Sequence, residues 1–195
     1  MKVVIQQPSV LPYHGFFKLM KEADKFVFLD NVQFSKQSWQ QRNKVLINGK
    51  EVWLSIPVFQ GSGQLLKDVE IADIYKADKI RKTAEQSFGV ELPYITPKLC
   101  ETNNGWIEYI AGKLNIHPKL VMASDLGTSD IVDICKHLKA DKYISTGGSQ
   151  VYFDQPLFER FANIDCEVKF IHFEPDYSLV QYMYDNDYLK RRELL

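Results

Sequence analysis

Apolar positions along the chain fall into short runs with two different periods. Val3, Val4 and Ile5 make a β-branched run closed by Pro8, which predicts a buried strand over Lys2 to Gln6. After a loop containing Pro8 and Pro12, Phe16, Leu19, Met20 and Ala23 recur on one face of a helix over Gly15 to Ala23. Lys25 to Leu29 reads as the next strand. Strand, helix and strand within about 30 residues form a βαβ unit, whose crossover is right-handed in nearly all cases. The second half repeats the theme. Lys119 to Ser124 is strand-like, and Thr128 or Ser129 can cap a helix whose stripe is Ile131, Ile134, Cys135 and Leu138. Lys142 to Thr146 is a further strand; Gly147 and Gly148 follow, then a short helix with Leu157, Phe158 and Phe161, then a strand over Glu167 to Phe173. Between the halves stand strands over Glu51 to Val58 and Asp68 to Ile71, a turn at Gly61 to Gly63, and helices near Ala77 to Phe88 and Trp106 to Leu114.

Alternating strands and helices predict an α/β fold, a mainly parallel sheet sandwiched by helices in a nucleotide-binding-type layout. The chain has 195 residues with no internal repeat and no Pro/Gly/Ser linker, so one α/β domain over 1–195 is expected. A hydrophobic share of 45% with 25% charged residues excludes wholesale disorder. The net charge of -1 leaves no global basic field for nucleic acid or an anionic membrane. Cys100, Cys135 and Cys166 are odd in number and form no CxxC pair, which points to a reducing, cytoplasmic setting. No apolar run approaches the roughly 20 residues of a membrane span, and the N-terminus lacks a signal-peptide core, so no membrane insertion is expected.

Four segments carry candidate chemistry. The first, between the first strand and helix, holds Gln7, Tyr13, His14 and Gly15. Open α/β sheets bind ligands outside the carboxyl ends of their strands, so these residues are placed to meet one, although stiff prolines fixing a turn would look the same. The second, Asn31 to Lys50, contains Lys36, Arg42, Lys44 and Lys50 without a single acid, interleaved with Gln33, Trp39, Gln40, Gln41 and Asn43. It suits an anion carrying a flat polar group, with Arg42 as the phosphate fork; a solvated loop of scattered lysines is the plainer alternative. The third, Ser145 to Gln150, follows a strand with consecutive glycines, Gly147 and Gly148, whose N–H groups could form an anion nest. Tyr143 and Tyr152 flank it. The fourth centres on His172 at the end of the last strand, placed to act as a general base. No His, Cys or carboxylate pair has metal-ligand spacing, so no metal is expected. GxSxG, P-loop and GxGxxG motifs are absent, which disfavours serine hydrolase, P-loop kinase and Rossmann dehydrogenase chemistry.

Taken in order, these blocks resemble the WbqC-like protein family. The similar stretches are Gln7-Pro8 through Leu11-Pro12-Tyr13 and Gly15-Phe16-Phe17, then Phe28 through Lys36 with Trp39, Gln40 or Gln41, Arg42 and Asn43. Asp133-Ile134-Cys135, Ala140 through Ser145, Gly148 and Tyr152 look like the family's second half, and His172, Pro175, Tyr177 and Gln181 like its late block. After Gln181 the chain departs from the family's usual final segment. More distantly, the opening looks like that of the HxGH nucleotidyltransferases, with Tyr13 and Phe16 standing where that motif has its histidines.

Family members are often encoded beside genes for O-antigen and other surface polysaccharides, including routes to 4-amino-4,6-dideoxy sugars. The resemblance therefore implies transfer of an aminoacyl group (glycyl, for instance) or another acyl group to the amine of a nucleotide-linked amino sugar. The expected partners are that sugar and an acyl donor of open identity: ATP plus amino acid, an acyl carrier, or aminoacyl-tRNA. No cofactor is specified, and a homodimer is compatible. Within this expectation Arg42 and Lys36 meet phosphate, Trp39 and Tyr13 stack, His172 or Asp30 moves the proton, and the Gly147 and Gly148 N–H groups serve phosphate or oxyanion. Gln7, His14, Gly15, Gln33, Asn43, Ser145 and Tyr152 complete the binding set. The alternatives are a non-catalytic nucleotide-sugar or nucleic-acid binding module, and a nucleotidyltransferase-like enzyme.

Overall fold

A computed structural model describes residues 1–47, 50–59 and 63–173. The block of Pro175, Tyr177 and Gln181, the departure after it, and most of the turn expected at 61–63 lie outside the described residues. In chain order the elements are β1 (Lys2–Gln6), α1 (His14–Glu22), β2 (Lys25–Phe28), β3 (Arg42–Ile47), β4 (Lys50–Ser55), α2 (Ile74–Phe88) and α3 (Leu99–Lys113). There follow β5 (Lys119–Met122), α4 (Ile131–Leu138), β6 (Lys142–Thr146), α5 (Gln155–Ala162) and β7 (Glu167–Ile171). The described chain divides into two compact units. A sheet unit takes residues 1–7, 15–31 and 117–173, and a hairpin unit takes 8–14 and 32–116.

The sheet unit is the α/β part. Its five strands run parallel in the order β5-β2-β1-β6-β7. Central β1 is apolar at three successive positions, Val3, Val4 and Ile5, and all three are buried. A strand covered on both faces needs such a continuous run instead of alternation. On one side, Val3, Ile5 and Val27 pack with Ile134, Tyr143 and Phe161. Elsewhere in the unit Phe16 of α1 lies 5.3 Å from Phe26, ring centre to ring centre, and Phe26 lies 5.3 Å from Phe28. From β1 the chain winds outward through β2 to β5, then returns to the other flank of β1 for β6 and β7. The winding thus reverses between β1 and β6, the switch point at which doubly wound sheets bind ligands.

The cap of α4 differs from expectation. Asp130, and neither Thr128 nor Ser129, accepts from the Val132 and Asp133 N–H groups, at 3.0 Å each. The Thr128 hydroxyl instead accepts from the Asp130 N–H. A carboxylate directly before the first turn reaches both orphan donors, which a residue further upstream cannot.

The hairpin unit contains the antiparallel pair β3–β4, in register from Arg42 opposite Ser55 to Ile47 opposite Lys50. Its helices both start earlier than the apolar pattern suggests. Asp73 caps α2 through the Lys76 N–H, and Gly89 ends it at φ 63°. The first turns of α3 carry Thr102, Asn103 and Asn104, which are polar yet buried, so hydrophobic periodicity misses them. The strand expected over Asp68 to Ile71 is a 3-10 turn at Leu66–Asp68 followed by single bridges, Glu70 to Lys98 and Ile71 to Val58. No described helix is long and apolar enough to cross a membrane.

Candidate functional site

The carboxyl edge of the sheet unit presents Gln7 after β1, Asp30 after β2, Ser145 at the end of β6 and His172 after β7. Asp30 is 2% exposed. Its Oδ1 accepts from the Ser124 N–H at 2.9 Å and its Oδ2 from the Ser124 hydroxyl at 2.6 Å. These two bonds tie the end of β2 to the turn that follows β5. Each oxygen keeps one lone pair, but the side chain is already held in place. Next to it, the Asn31 side-chain amide donates to the Thr128 carbonyl at 2.9 Å. Its Oδ1 is buried and meets no donor among the described residues.

Ser145 anchors the third sequence segment. Its Oγ lies 2.8 Å from that of Ser149, and the Ser149 hydroxyl donates to the Thr146 carbonyl at 2.7 Å. Because the Ser149 proton goes to that carbonyl, Ser145 is the donor in the pair, and it accepts a longer bond from the Tyr143 hydroxyl at 3.4 Å. The hydroxyls thus run one way, from Tyr143 through Ser145 and Ser149 to backbone, and they hold the loop closed. Burial pushes the Tyr143 phenol up to about 12. Its ring is stacked on Phe161 at 5.3 Å.

The two glycines have different reasons to be glycine. A Cβ at Gly147 would lie 2.1 Å from His172 Nδ1 and 2.4 Å from Cε1. The exposed imidazole therefore rests directly on the Gly147 backbone, where a Cβ fits only if the ring moves away. Gly148 has open space at the same position. Neither has a positive φ; they begin a 3-10 turn over Gly147–Tyr152, on which Tyr152 is 79% exposed.

In the hairpin unit the first and second segments are joined. The Asn43 amide donates to the Leu11 carbonyl at 2.5 Å and to that of Val10 at 3.1 Å, while its Oδ1 accepts from the Lys44 N–H at 2.8 Å. The Val10 N–H donates to the Trp39 carbonyl at 2.9 Å. Leu11 is held at φ 45°, a conformation bulky residues rarely adopt, and it is buried. Gln40 accepts from the Ser35 N–H, and Asn103 donates to the Gln40 carbonyl at 2.9 Å. Gln41 bridges the Gln37 N–H and the Ile56 carbonyl, each at 3.0 Å. The amides interleaved with the lysines thus bind backbone.

The outward face of β3–β4 carries Arg42, Lys44 and Trp53. The Arg42 guanidinium lies 4.3 Å above the Trp53 ring, and the Trp39 ring centre is 5.9 Å from that of Trp53. Arg42 Nε is buried and meets no acceptor among the described residues. Lys44 pairs with Glu51 at 2.7 Å. Lys36 and Gln33 are exposed, and Gln33 bridges to Leu65. Tyr13 is partly buried, which raises its phenol above the usual range, and it meets buried His14 edge to face at 5.7 Å. Gly15 and Phe16 are buried in the first turn of α1. The third and fourth segments meet in the sheet unit, and residues 8–14 of the first meet the second in the hairpin unit, while Gln7 and Gly15 belong to the sheet unit.

Sequence reasoning overlooked Trp53 and Asn103, and read Arg42 to Ile47 as loop. The signal for the hairpin was Asn48-Gly49 between two runs of alternating polarity, a strong two-residue turn dipeptide. No local signal marks Asn103, whose partner lies 63 residues away.

Among known proteins, the chain is similar to the uncharacterized protein Rv1507c of Mycobacterium tuberculosis (strain ATCC 25618 / H37Rv). The two are 22% identical over 183 residues, covering 83% of this chain and 79% of the relative. No solved structure matches this chain. The model of the WbqC-like protein family matches residues 7–187, a span that includes both loop pairs and His172, and the chain therefore belongs to the WbqC-like protein family.

Proposed function

We propose that the protein is a transferase that adds an aminoacyl (glycyl, for instance) or acyl group to the amine of a nucleotide-linked amino sugar in surface-polysaccharide synthesis. The observation that carries this reading is the reversal of winding between β1 and β6, with Gln7, the Ser145–Ser149 loop and His172 gathered on the carboxyl edge of that sheet. Doubly wound sheets bind small phosphorylated ligands at that edge.

In the reaction the neutral sugar amine attacks the acyl carbon. A C–N bond forms, the bond from the acyl carbon to the donor's oxygen or sulfur breaks, and the amine proton passes to a base. His172 suits that task better than Asp30, because the imidazole is exposed while both Asp30 oxygens already accept from Ser124. Taken by itself, the hairpin unit offers Arg42 and Lys36 as cations suited to phosphate, and Trp39 and Tyr13 as flat surfaces. Asn43 and Ser145 hold loops, so their part is positioning. The donor is an amino acid plus ATP, an acyl carrier or an aminoacyl-tRNA; with ATP the carboxylate is first adenylated with release of pyrophosphate, and AMP is the group that leaves in the transfer.

The test incubates the protein with a nucleotide-linked 4-amino-4,6-dideoxyhexose and, in parallel, glycine plus ATP, glycyl-tRNA and acyl thioesters, followed by mass analysis. A mass gain on the amino sugar, absent with its 4-hydroxy counterpart, is the expected result. A site built around a hydrogen-bonded amine can discriminate by up to about 10⁴-fold. Tight binding of the sugar with no mass gain from any donor would replace the transferase with a binding module.

A further inference from the structure

We propose that the outward face of the β3–β4 hairpin is a stacking site for the base of a nucleoside diphosphate, with Trp53 and Trp39 as its aromatic surface and Arg42 as its cation. The proposal rests on the nucleotide-linked substrate of the preceding section, and it adds the residue and the face that would recognise the base.

Three observations lead there. First, Trp53 is 44% exposed and Trp39 is 58% exposed, although a large ring placed only for stability would be turned inward. The hairpin has an inward face for that purpose. Asn43, Val45 and Leu54 point there and are buried, while Trp53 pairs opposite Lys44 on the other face. Second, the two indoles lie 5.9 Å apart with a 34° tilt, so two partly exposed aromatic rings stand side by side in this unit. Indoles lose little conformational entropy on stacking with a base, and every base has a π-face to offer them. Third, Arg42 is the cation of this face without a carboxylate. Lys44 pairs with Glu51 at 2.7 Å and its Nζ lies 5.4 Å from the Trp53 ring centre, whereas Arg42 makes no ion pair among the described residues and its guanidinium carbon lies 4.3 Å from that centre. Its Nε is buried and unsatisfied among them. The guanidinium as a whole is a partly exposed permanent cation without a carboxylate, and an anion beside the stacked base would pair with its remaining N–H groups.

Charge decides the occupant. A neutral sugar ring would use the indoles and leave Arg42 unanswered, and an apolar protein surface would bury that cation without a partner. A base carrying phosphates answers both features at once.

Tryptophan fluorescence tests this directly, because Trp106, the remaining tryptophan, is fully buried and reports folding. Titration of the full chain with UDP should quench emission and protect the exposed indoles from acrylamide, while pyrophosphate should bind more weakly and give no such protection. Trp53→Leu should weaken UDP about ten- to a hundredfold, the scale of one base–aromatic stack, and leave pyrophosphate affinity unchanged. Trp53→Phe should retain most of the binding. A merely structural Trp53 would move both ligands together, and that result overturns the proposal. If UDP binds by calorimetry but Trp53→Leu and Trp39→Leu leave it unaltered, this site is wrong while the nucleotide-linked reading stands. If neither UDP nor a UDP- or dTDP-linked amino sugar binds, both fail. Tighter binding of a short single-stranded RNA than of UDP would likewise overturn the mononucleotide site.

Discussion

Asn43 is the residue on which the strained loop of the hairpin unit depends, and its replacement should show that clearly. The buried carbonyls of Val10 and Leu11 both receive the Asn43 amide, and Asn43→Ala removes both donors without offering water a way in. At about 1 kcal/mol for each net hydrogen bond, plus about 1–3 kcal/mol for an acceptor left dry, the gross cost is about 3–5 kcal/mol. Relaxation offsets part of it. Leu11 sits at φ 45°, and release from the left-handed region returns about 1–2 kcal/mol. The net loss should therefore be about 2–3 kcal/mol, accompanied by movement of residues 8–14. Asn43→Asp separates hydrogen bonding from shape. Its carboxylate has nearly the same outline but turns an acceptor towards two carbonyls, so the folded state favours the protonated acid and raises its pKa above the unfolded value near 3.9. A raised pKa means that stability is fullest below about pH 4 and is lost as pH rises through the folded value. Urea unfolding followed by tryptophan emission reads this unit, since Trp39, Trp53 and Trp106 all belong to it. Wild-type stability for Asn43→Asp at pH 7, or a deficit that does not shrink in acid, would refute the clamp.

Three further outcomes follow from the geometry. Gly147→Ala should push the His172 imidazole off its seat, since the new Cβ would lie 2.1 Å from Nδ1. Because a side chain can swing away, stability should change little while the His172 ring resonances shift by NMR; unshifted resonances would refute the contact. Tyr143→Phe should cost less than about 1 kcal/mol at pH 7, because the bond it removes is long at 3.4 Å. With its folded phenol raised to about 12 against about 10 unfolded, wild-type stability present below pH 10 is lost as pH climbs towards 12. The urea midpoint of Tyr143→Phe should accordingly gain on wild type between pH 9 and 11, and parallel midpoints would sink the idea. Arg81→Met should destabilise by about 3 kcal/mol in urea, since buried Arg81 binds Asp78 at 2.7 Å, Glu85 and the Leu92 carbonyl. Pairing it with Glu85→Gln should recover part of that loss, and no recovery would mean that the charge of Glu85 is not the source.

Neighbouring residues in the sequence determine the local elements, and there the reading of this chain was close. β1 and β6 appear at the residues their apolar runs mark, and α4 buries the Ile134, Cys135 and Leu138 stripe. A buried parallel strand and an amphipathic helix are short-range patterns, visible because burial imposes its period on adjacent positions. The same logic made the α/β class legible, and the loops after β1, β6 and β7 could be named as candidate edges before any coordinates. Tertiary structure decided what no window of sequence contains. The order β5-β2-β1-β6-β7 joins strands over a hundred residues apart, and residues 8–14 belong to a different unit from the β1 strand just before them. The lysine-rich segment looked like an open cationic loop because Glu51, which pairs with Lys44, stands just past its end and meets that lysine only across the strand pair, and because the Asn43 and Gln41 side chains find backbone partners outside the segment. Gly147 reads in sequence only as half of a glycine pair, and the fold adds a constraint no window contains, an imidazole 25 positions later against its backbone. Composition and period report which groups must be buried; only the fold chooses the distant partner that satisfies each one, because that choice depends on which surfaces long-range packing brings within hydrogen-bond reach.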